Sequence, residues 1–287
     1  MKNIYDLKNK IVVVLAYARV VVQKYGHRKK FAKHVVAFAI KQLMRLSDCD
    51  LAGFLGSNRI GKLLGYGRAP HKSTFSKVRS RSDPQMFLDV YNMLISAHFR
   101  GKVLRIVAQD SSAFPAFSRK DTDARFGYRT PSKREQEFMK VKEATFEFGY
   151  KLHSIADAES DTPLVVRIVP ANFNDKTLFN PLYSDLKADF RLQKNAKFLA
   201  DAEYHASRIR QRLRDDDVIP VIPESGNRYR KTRQPKDPDY AKRWAVERIF
   251  SRLKEVFGLE KNRMIGIGRA TIHAASCLLA YAVRYVI

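Results

Sequence analysis

Cysteine is nearly absent. Cys49 and Cys277 are the only two thiols in 287 residues, and they lie far apart in no metal-binding spacing. That excludes a disulfide scaffold and suits a reducing compartment. Long apolar runs are missing as well: nowhere do about 18 apolar residues follow one another, so no membrane span is expected. Ile11–Val22 begins like the core of a secretory signal, but Arg19 interrupts it and no small-residue cleavage site follows. There is no internal repeat and no low-complexity tract. The scarce charge is negative, with 29 Asp and Glu against 54 Lys and Arg, a formal net charge of +25. A surface so positive attracts polyanions, nucleic acid first among them. The cations run through the whole chain instead of lining one amphipathic helix, which disfavours an anionic membrane as the partner. What is present in quantity is apolar: 45% hydrophobic residues are enough for a core and exclude wholesale disorder. The expected setting is the cytoplasm, at the nucleoid.

The length suits one large domain with a smaller helper. Residues 1–100 read as helical, with apolar residues at helical spacing in Arg28–Leu46 (Phe31, Val35, Val36, Phe38, Ala39, Leu43) and in Asp83–Phe99 (Met86, Phe87, Val90, Leu94). Between them Asp48–Arg81 holds a helix-like piece, a glycine-rich break and a second piece, Ser73–Arg81, carrying Lys77, Arg79 and Arg81. That order is compatible with a helix-turn-helix DNA reader, and equally with any helical domain. From residue 101 to 287 the pattern is mixed. Val103–Ala108, Phe146–Ala156, Pro163–Val169, Lys197–Ala200 and Val218–Ile222 read as strands, with a hairpin at Glu159–Thr162. Thr177–Leu186, Tyr204–Arg214, a segment capped at Asp237-Pro238-Asp239 and running to Phe257, and Ala270–Ile287 read as helices. Ser118–Lys142 and Gly226–Lys236 read as basic loops. The fold class predicted is α/β, a mixed sheet flanked by helices and preceded by an all-helical N-terminal domain.

Three carboxylates stand out. Asp110 follows the apolar run Leu104–Ala108, and Asp201 follows Phe198-Leu199-Ala200. If those strands are neighbours, both acids sit at one end of the sheet, where α/β proteins place their sites. Glu247, on the helix after the last strand, can complete a cluster. Three close acids need neutralising, and Mg²⁺, a hard cation taking oxygen ligands, does this. Two such ions about 4 Å apart serve phosphoryl transfer without a protein nucleophile. Taken singly, each acid also reads as a cap or turn residue.

The helix from Tyr240 to Lys254 sharpens the choice. At about 100° per residue, Tyr240, Arg243, Glu247 and Lys254 share an arc of about 60°, beside an apolar arc of Val246, Ile249, Phe250, Leu253 and Phe257. Periodicity leaves two readings open: a metal-holding acid between phosphate-binding cations, or ordinary i, i+4 pairs on a solvated face.

The spacing Tyr240-x₂-Arg243-x₃-Glu247-x₆-Lys254 resembles the Y-R-E-K signature of prokaryotic insertion-sequence transposases of the DDE type. Further segments resemble the same family in the same order: Gln109-Asp110-Ser111-Ser112, Gly149-Tyr150-Lys151-Leu152-His153, Ala171-Asn172 followed by Asp175, and Asp201-Ala202-Glu203-Tyr204. The resemblance spans residues 103–257 and implies an RNase H-like catalytic domain. It also implies a metal site of Asp110, Asp201 and Glu247 with two Mg²⁺ ions (Mn²⁺ as substitute), and phosphate contacts from Tyr240, Arg243 and Lys254. The implied partners are double-stranded DNA, both element ends and target, and a second copy in a synaptic homodimer. Cleavage at the element ends and joining of the freed 3′-hydroxyl to target DNA is the implied reaction. A related nuclease, or a non-catalytic DNA-binding derivative, shares most of these features. The short span between Asp201 and Glu247 departs from larger members, which carry a β-rich insertion there, and places the chain with a compact branch.

Smaller features complete the reading. Lys151 and His153 share a strand face and are candidate DNA contacts. Arg228, Arg230, Lys231 and Arg233 form a basic loop suited to a phosphate backbone. Glu203 reads as an exposed loop acid, with support of the Asp201 site as the alternative, and Trp244 as an aromatic packed under a loop, with stacking on an unpaired base at the cleavage site as the alternative.

Overall fold

The computed structural model describes residues 4–129, 145–224 and 235–287. The chain forms two compact units. One comprises residues 1–98, 252–264 and 268–287; the other comprises residues 99–251 and 265–267.

The first unit is helical: α1 (Ile4–Lys24), α2 (Ala32–Met44), α3 (Asp48–Ser57), α4 (Arg59–Leu63), α5 (Lys72–Arg81) and α6 (Pro84–His98). α1 buries Leu7, Ile11, Val14, Leu15, Ala18, Val21 and Val22, the stripe expected of one helical face. α3 opens on a capping box, Ser47 accepting from the Asp50 amide while the Asp50 carboxylate takes the Ser47 amide. α5 is capped by His71, whose side chain accepts from the Ser73 amide, so it opens one residue before the Ser73–Arg81 piece read from the sequence. Arg79 is buried. It pairs with Asp48, which Lys41 also contacts at 2.9 Å. Arg79 therefore ties α5 to α3 and is withdrawn from the basic face that the sequence assigned it to. The last helix, α10 (Ile267–Tyr285), is buried on every side from Ala270 to Val283. Small residues such as Ala274, Ala275, Ala280 and Ala282 let its neighbours approach, and His273 meets Gln42 at 3.2 Å.

The second unit is built on one sheet: β1 (Val103–Pro115), β2 (Arg125–Arg129), β3 (Thr145–Asp157), β4 (Thr162–Pro170), β5 (Arg191–Leu199) and β6 (Ile219–Val221). β4, β3 and β1 run antiparallel in that order, and β1, β5 and β6 run parallel. That order and these directions make an RNase H-like sheet. β3 is shared lengthwise, its Thr145–Gly149 half pairing with β2 and its Tyr150–Asp157 half with β4. β1 buries the consecutive residues Ile106, Val107 and Ala108, so both sheet faces are covered. Helix α7 (Phe179–Asp189) packs Phe179 and Tyr183 against Phe198 of β5. α8 (Ser207–Asp215) follows, and α9 (Trp244–Glu255) buries Val246, Ile249, Phe250 and Leu253, the apolar arc read from the sequence.

Several elements differ from expectation. β1 continues seven residues beyond Ala108, because β3 carries its polar stretch as a ladder to Pro115↔Gly149. β2 lies inside the stretch read as a basic loop. β5 begins at Arg191, its exposed polar half held by Val103↔Arg191 and Leu104↔Leu192. Pro238–Arg243 is a 3₁₀ turn and not the first turns of an α-helix, although Asp237 caps it as expected. No helix among the described residues is long and apolar enough to cross a membrane.

Candidate active site

Register places the first two acids. The parallel pairing of β1 with β5 ends at Ala108↔Leu199, so Asp110 and Asp201 each lie two residues beyond the last pair, at the same level and on the same face. Asp110 does not end its strand. It sits where β1 outruns β5 while still paired to Ser154 of β3. Asp201 leaves its strand and caps a short 3₁₀ turn (Ala202–Tyr204), accepting from the Glu203 amide at 2.9 Å.

Two clamps deliver the third acid. Lys197 of β5 donates to Asp237 at 2.9 Å and Asp239 at 2.6 Å, which fixes the start of the 3₁₀ turn beside the sheet. Arg248 grips Asp161 of the β3–β4 hairpin through Nε at 2.9 Å and Nη2 at 2.6 Å, which fixes the first turns of α9. Between the clamps lies Arg243. Its Nη1 donates to Asp110 Oδ2 at 3.1 Å and its Nη2 to Glu247 Oε1 at 2.5 Å. Tyr240 stands one 3₁₀ turn before Arg243, and three residues per turn bring the two onto one side. The wheel drawn at α-helical pitch therefore misplaces Tyr240 in phase, but the shorter turn restores its place beside Arg243.

The electrostatics follow from this crowding. Burial, then the charge of Asp201, pushes the Asp110 carboxyl up to about 7, against the opposing pull of Arg243 and the Ser111 amide. Burial also raises Asp201. Burial opposes the Arg243 charge, but the carboxylates of Asp110 and Glu247 outweigh it and hold the guanidinium above its ordinary value. Tyr204 is fully buried, raised first by burial and then by Asp175, Asp110 and Asp201, and its hydroxyl has no hydrogen-bond partner among the described residues.

Asp175 is a fourth acid that the sequence reading quoted only inside a motif. It is buried, accepts from Ser111 Oγ at 2.7 Å and is paired with Lys151 at 2.7 Å. The hydroxyl-lysine-carboxylate link is legible only once strand register sets Ser111 opposite His153, on the same face as Lys151 two residues along β3. Lys151 is thus committed to an internal ion pair. His153, expected as a DNA contact, is fully buried and pushed down to about 4, first by burial. Lys254 pairs with Glu260 at 2.9 Å. Trp244 is 57% exposed and not packed under a loop. Glu203 is exposed, as read. Arg228, Arg230, Lys231 and Arg233 lie outside the described residues.

No group of three acids, imidazoles or thiols among the described residues already stands at metal-holding spacing. The donor set nevertheless fits a hard divalent cation: all are carboxylate oxygens, the charges of Asp201 and Glu247 raise Asp110, and a guanidinium occupies the gap between Asp110 and Glu247 as an internal counter-cation. The buried, unpartnered Tyr204 hydroxyl beside them is a further oxygen that a hydrated ion satisfies.

A family model described as the transposase DDE domain matches residues 101–283. No curated protein matches the chain. Among solved structures it is similar to the piggyBac transposase in a synaptic complex with hairpin DNA, at 10% identity and a TM-score of 0.46, covering 89% of this chain. The chain spans 66% of that protein, just under two thirds. It is also similar to the Mos1 transposase in a paired-end complex with the left transposon end, at 13% identity and a TM-score of 0.24, covering 85% of this chain and 80% of that one.

Proposed function

The chain belongs to the transposase DDE domain family, and from that premise we propose that it cuts double-stranded DNA at the ends of a transposable element and joins the freed 3′-hydroxyl to target DNA. The observation that carries the proposal is the shared level of Asp110 and Asp201 beyond Ala108↔Leu199, with Glu247 linked to Asp110 through one guanidinium. The first step is hydrolysis: water oxygen bonds to phosphorus, the P–O3′ bond breaks, and the departing oxygen takes a proton. In the second, that 3′-oxygen bonds to a target phosphorus and the target's own 3′-oxygen leaves.

Asp110, Asp201 and Glu247 would hold two Mg²⁺ ions, or Mn²⁺ in their place. When bound, these ions neutralise the acids and lower the barrier at both the attacking and the leaving oxygen. The chain's own residues do the rest. Arg243 keeps the acids together before loading, and its fork suits a phosphate once the carboxylates are otherwise engaged. Tyr240 presents a hydroxyl on the same side, and Lys254, about two helical turns beyond Glu247, exchanges Glu260 for a phosphate. Lys151 acts through Asp175, holding the floor beneath Ser111. The helical residues 1–100 serve as the DNA-binding region and residues 101–287 as the catalytic region, and two copies join two ends at the DNA in the cytoplasm.

The test is incubation of the full chain with its flanking element ends and Mg²⁺, wild type beside Asp201→Asn. Cleaved 3′ ends, and joined products on adding target DNA, are expected with wild type only. Cleavage without joining would make the chain a nuclease, and equal cleavage by Asp201→Asn would remove the site assignment.

A further inference from the structure

Away from the acids, β2 and β3 build an exposed aromatic face. Their register sets Phe126 opposite Phe148 and Tyr128 opposite Phe146. Alternation puts all four rings on one side of the sheet, with centroids 5.0 Å apart in the first pair and 6.1 Å in the second. Phe126, Tyr128 and Phe146 are 50%, 60% and 69% exposed, a large apolar area left open to water. The Arg119 guanidinium lies 4.9 Å over Phe126 and 5.6 Å over Phe148. Gly127, between the two exposed rings, turns the opposite way: a Cβ there would meet the Ala171 carbonyl oxygen at 2.2 Å, so β2 is pressed onto the chain leaving β4. At this junction a cavity of about 530 Å³ opens between Phe126–Tyr128 and Phe173–Lys176, and it extends to Ala202 and Glu203, the two residues after Asp201.

We propose that this aromatic face and its adjoining cavity bind unpaired nucleotides of single-stranded DNA and lead them to the acid cluster. The inference rests on the proposed DNA chemistry and names the form of DNA that the site takes. Ring faces stack on any base, and cations beside them follow the backbone, which is how proteins hold single strands without reading sequence. Here the Arg119 guanidinium lies over two of the rings and Lys176 lines the cavity. An apolar protein partner would instead favour a patch depleted of charge at its centre. The cavity is large enough for a base and its sugar, and Asn172 and Phe173 on its wall offer an amide edge and a further ring face.

The test uses the full chain and a fluorescent oligothymidylate of about twelve nucleotides, with anisotropy as the readout and a blunt duplex as comparison. Phe126→Leu with Tyr128→Leu should weaken oligothymidylate binding roughly ten-fold or more and leave duplex binding within about two-fold. Phe126→Tyr with Tyr128→Phe, which keeps both rings, should bind like wild type. Equal oligothymidylate affinity in the leucine variant overturns the proposal, as does a change in oligomeric state as its sole effect. In case the leucine variant does not fold, wild type is photocrosslinked to oligonucleotide carrying 5-iododeoxyuridine. Crosslinks within residues 119–128, 146–148 or 171–176 support the proposal, and crosslinks confined elsewhere overturn it. Cleavage of element ends by wild type is scored separately. Ring-dependent binding without cleavage sinks the transposase reading alone, and cleavage with ring-independent binding sinks this inference alone.

Discussion

Replacing Asp110 by Asn should stabilise the metal-free protein at alkaline pH. The side chain is 18% exposed and carries a carboxyl raised from 3.8 to about 7, first by burial and then by Asp201. A carboxyl raised in the folded state binds its proton more tightly there than in the unfolded chain. Its contribution is fully present below pH 3.8 and is lost as pH climbs through about 7. Three units correspond to about 4 kcal/mol at most. Residual solvent access and the neighbouring guanidinium reduce the usable figure to about 2 kcal/mol. Asn keeps the shape and an acceptor for Arg243 but carries no charge. In a protein of this size about 2 kcal/mol raises the melting point by roughly 4–8 °C. The assay is calorimetric or dye-monitored melting from pH 4 to 9, in chelator and in Mg²⁺. In chelator the variant should exceed wild type at pH 8 and match it near pH 4. With Mg²⁺ wild type should gain stability as pH rises through 7, since the ion competes with the proton for Asp110, and the variant should gain little. A variant less stable than wild type at pH 8 in chelator would show that the Arg243 pair, and not the burial of charge, governs this site.

Two further outcomes are expected. Gly127→Ala should destabilise the β2 junction by about 1–3 kcal/mol, because its Cβ meets the backbone oxygen of Ala171 at 2.2 Å; a lowered melting point and faster proteolysis near β2 would register it, and an unchanged melting point would refute the close approach. Duplex binding should fall steeply with salt, roughly 10³-fold between about 50 and 200 mM if about six phosphates are neutralised, and a flat titration would argue against backbone contacts.

The parts of the fold legible in the sequence were those where one physical signal acted alone. The apolar core of β1, the β3–β4 hairpin and the buried stripe of α9 each followed from period and turn chemistry. What escaped was set by partners distant in sequence. Gln109–Ser112 looks like a loop because it is polar, yet β3 carries it as a strand. β2 hides in a basic run because half of its pattern is supplied by Phe146 and Phe148 on the neighbouring strand. Arg79 looked like one more surface cation until Asp48 was placed beside it. His153 shares a strand face with Lys151, and alternation could not say that the face is roofed. The last apolar helix belongs by packing to the unit of the first hundred residues, although it follows the sheet in sequence and the family match covers most of it. The three acids were legible as candidates and the i, i+4 pair of Arg243 with Glu247 was one reading of the helix, but the reach of Arg243 to Asp110 is set by a tertiary contact 133 residues apart in sequence.

That bridge bears on how such a site can fold at all. Asp110, Asp201 and Glu247 approach one another at the edge of a sheet whose core is apolar, and each ionised acid raises the cost of the next. Asp110 lowers that cost by holding its proton up to about pH 7, and Arg243 lowers it further by supplying a positive charge to two acids at once. Both devices are reversible in a way that an apolar substitution is not. On the proposed function, Asp110 would give up its proton and the Arg243 guanidinium would turn to a phosphate when a divalent cation and DNA are both bound. On that reading metal loading would be coupled to DNA, and Mn²⁺ titration by calorimetry should show tighter binding to the DNA complex than to the free protein, equal affinities refuting the coupling.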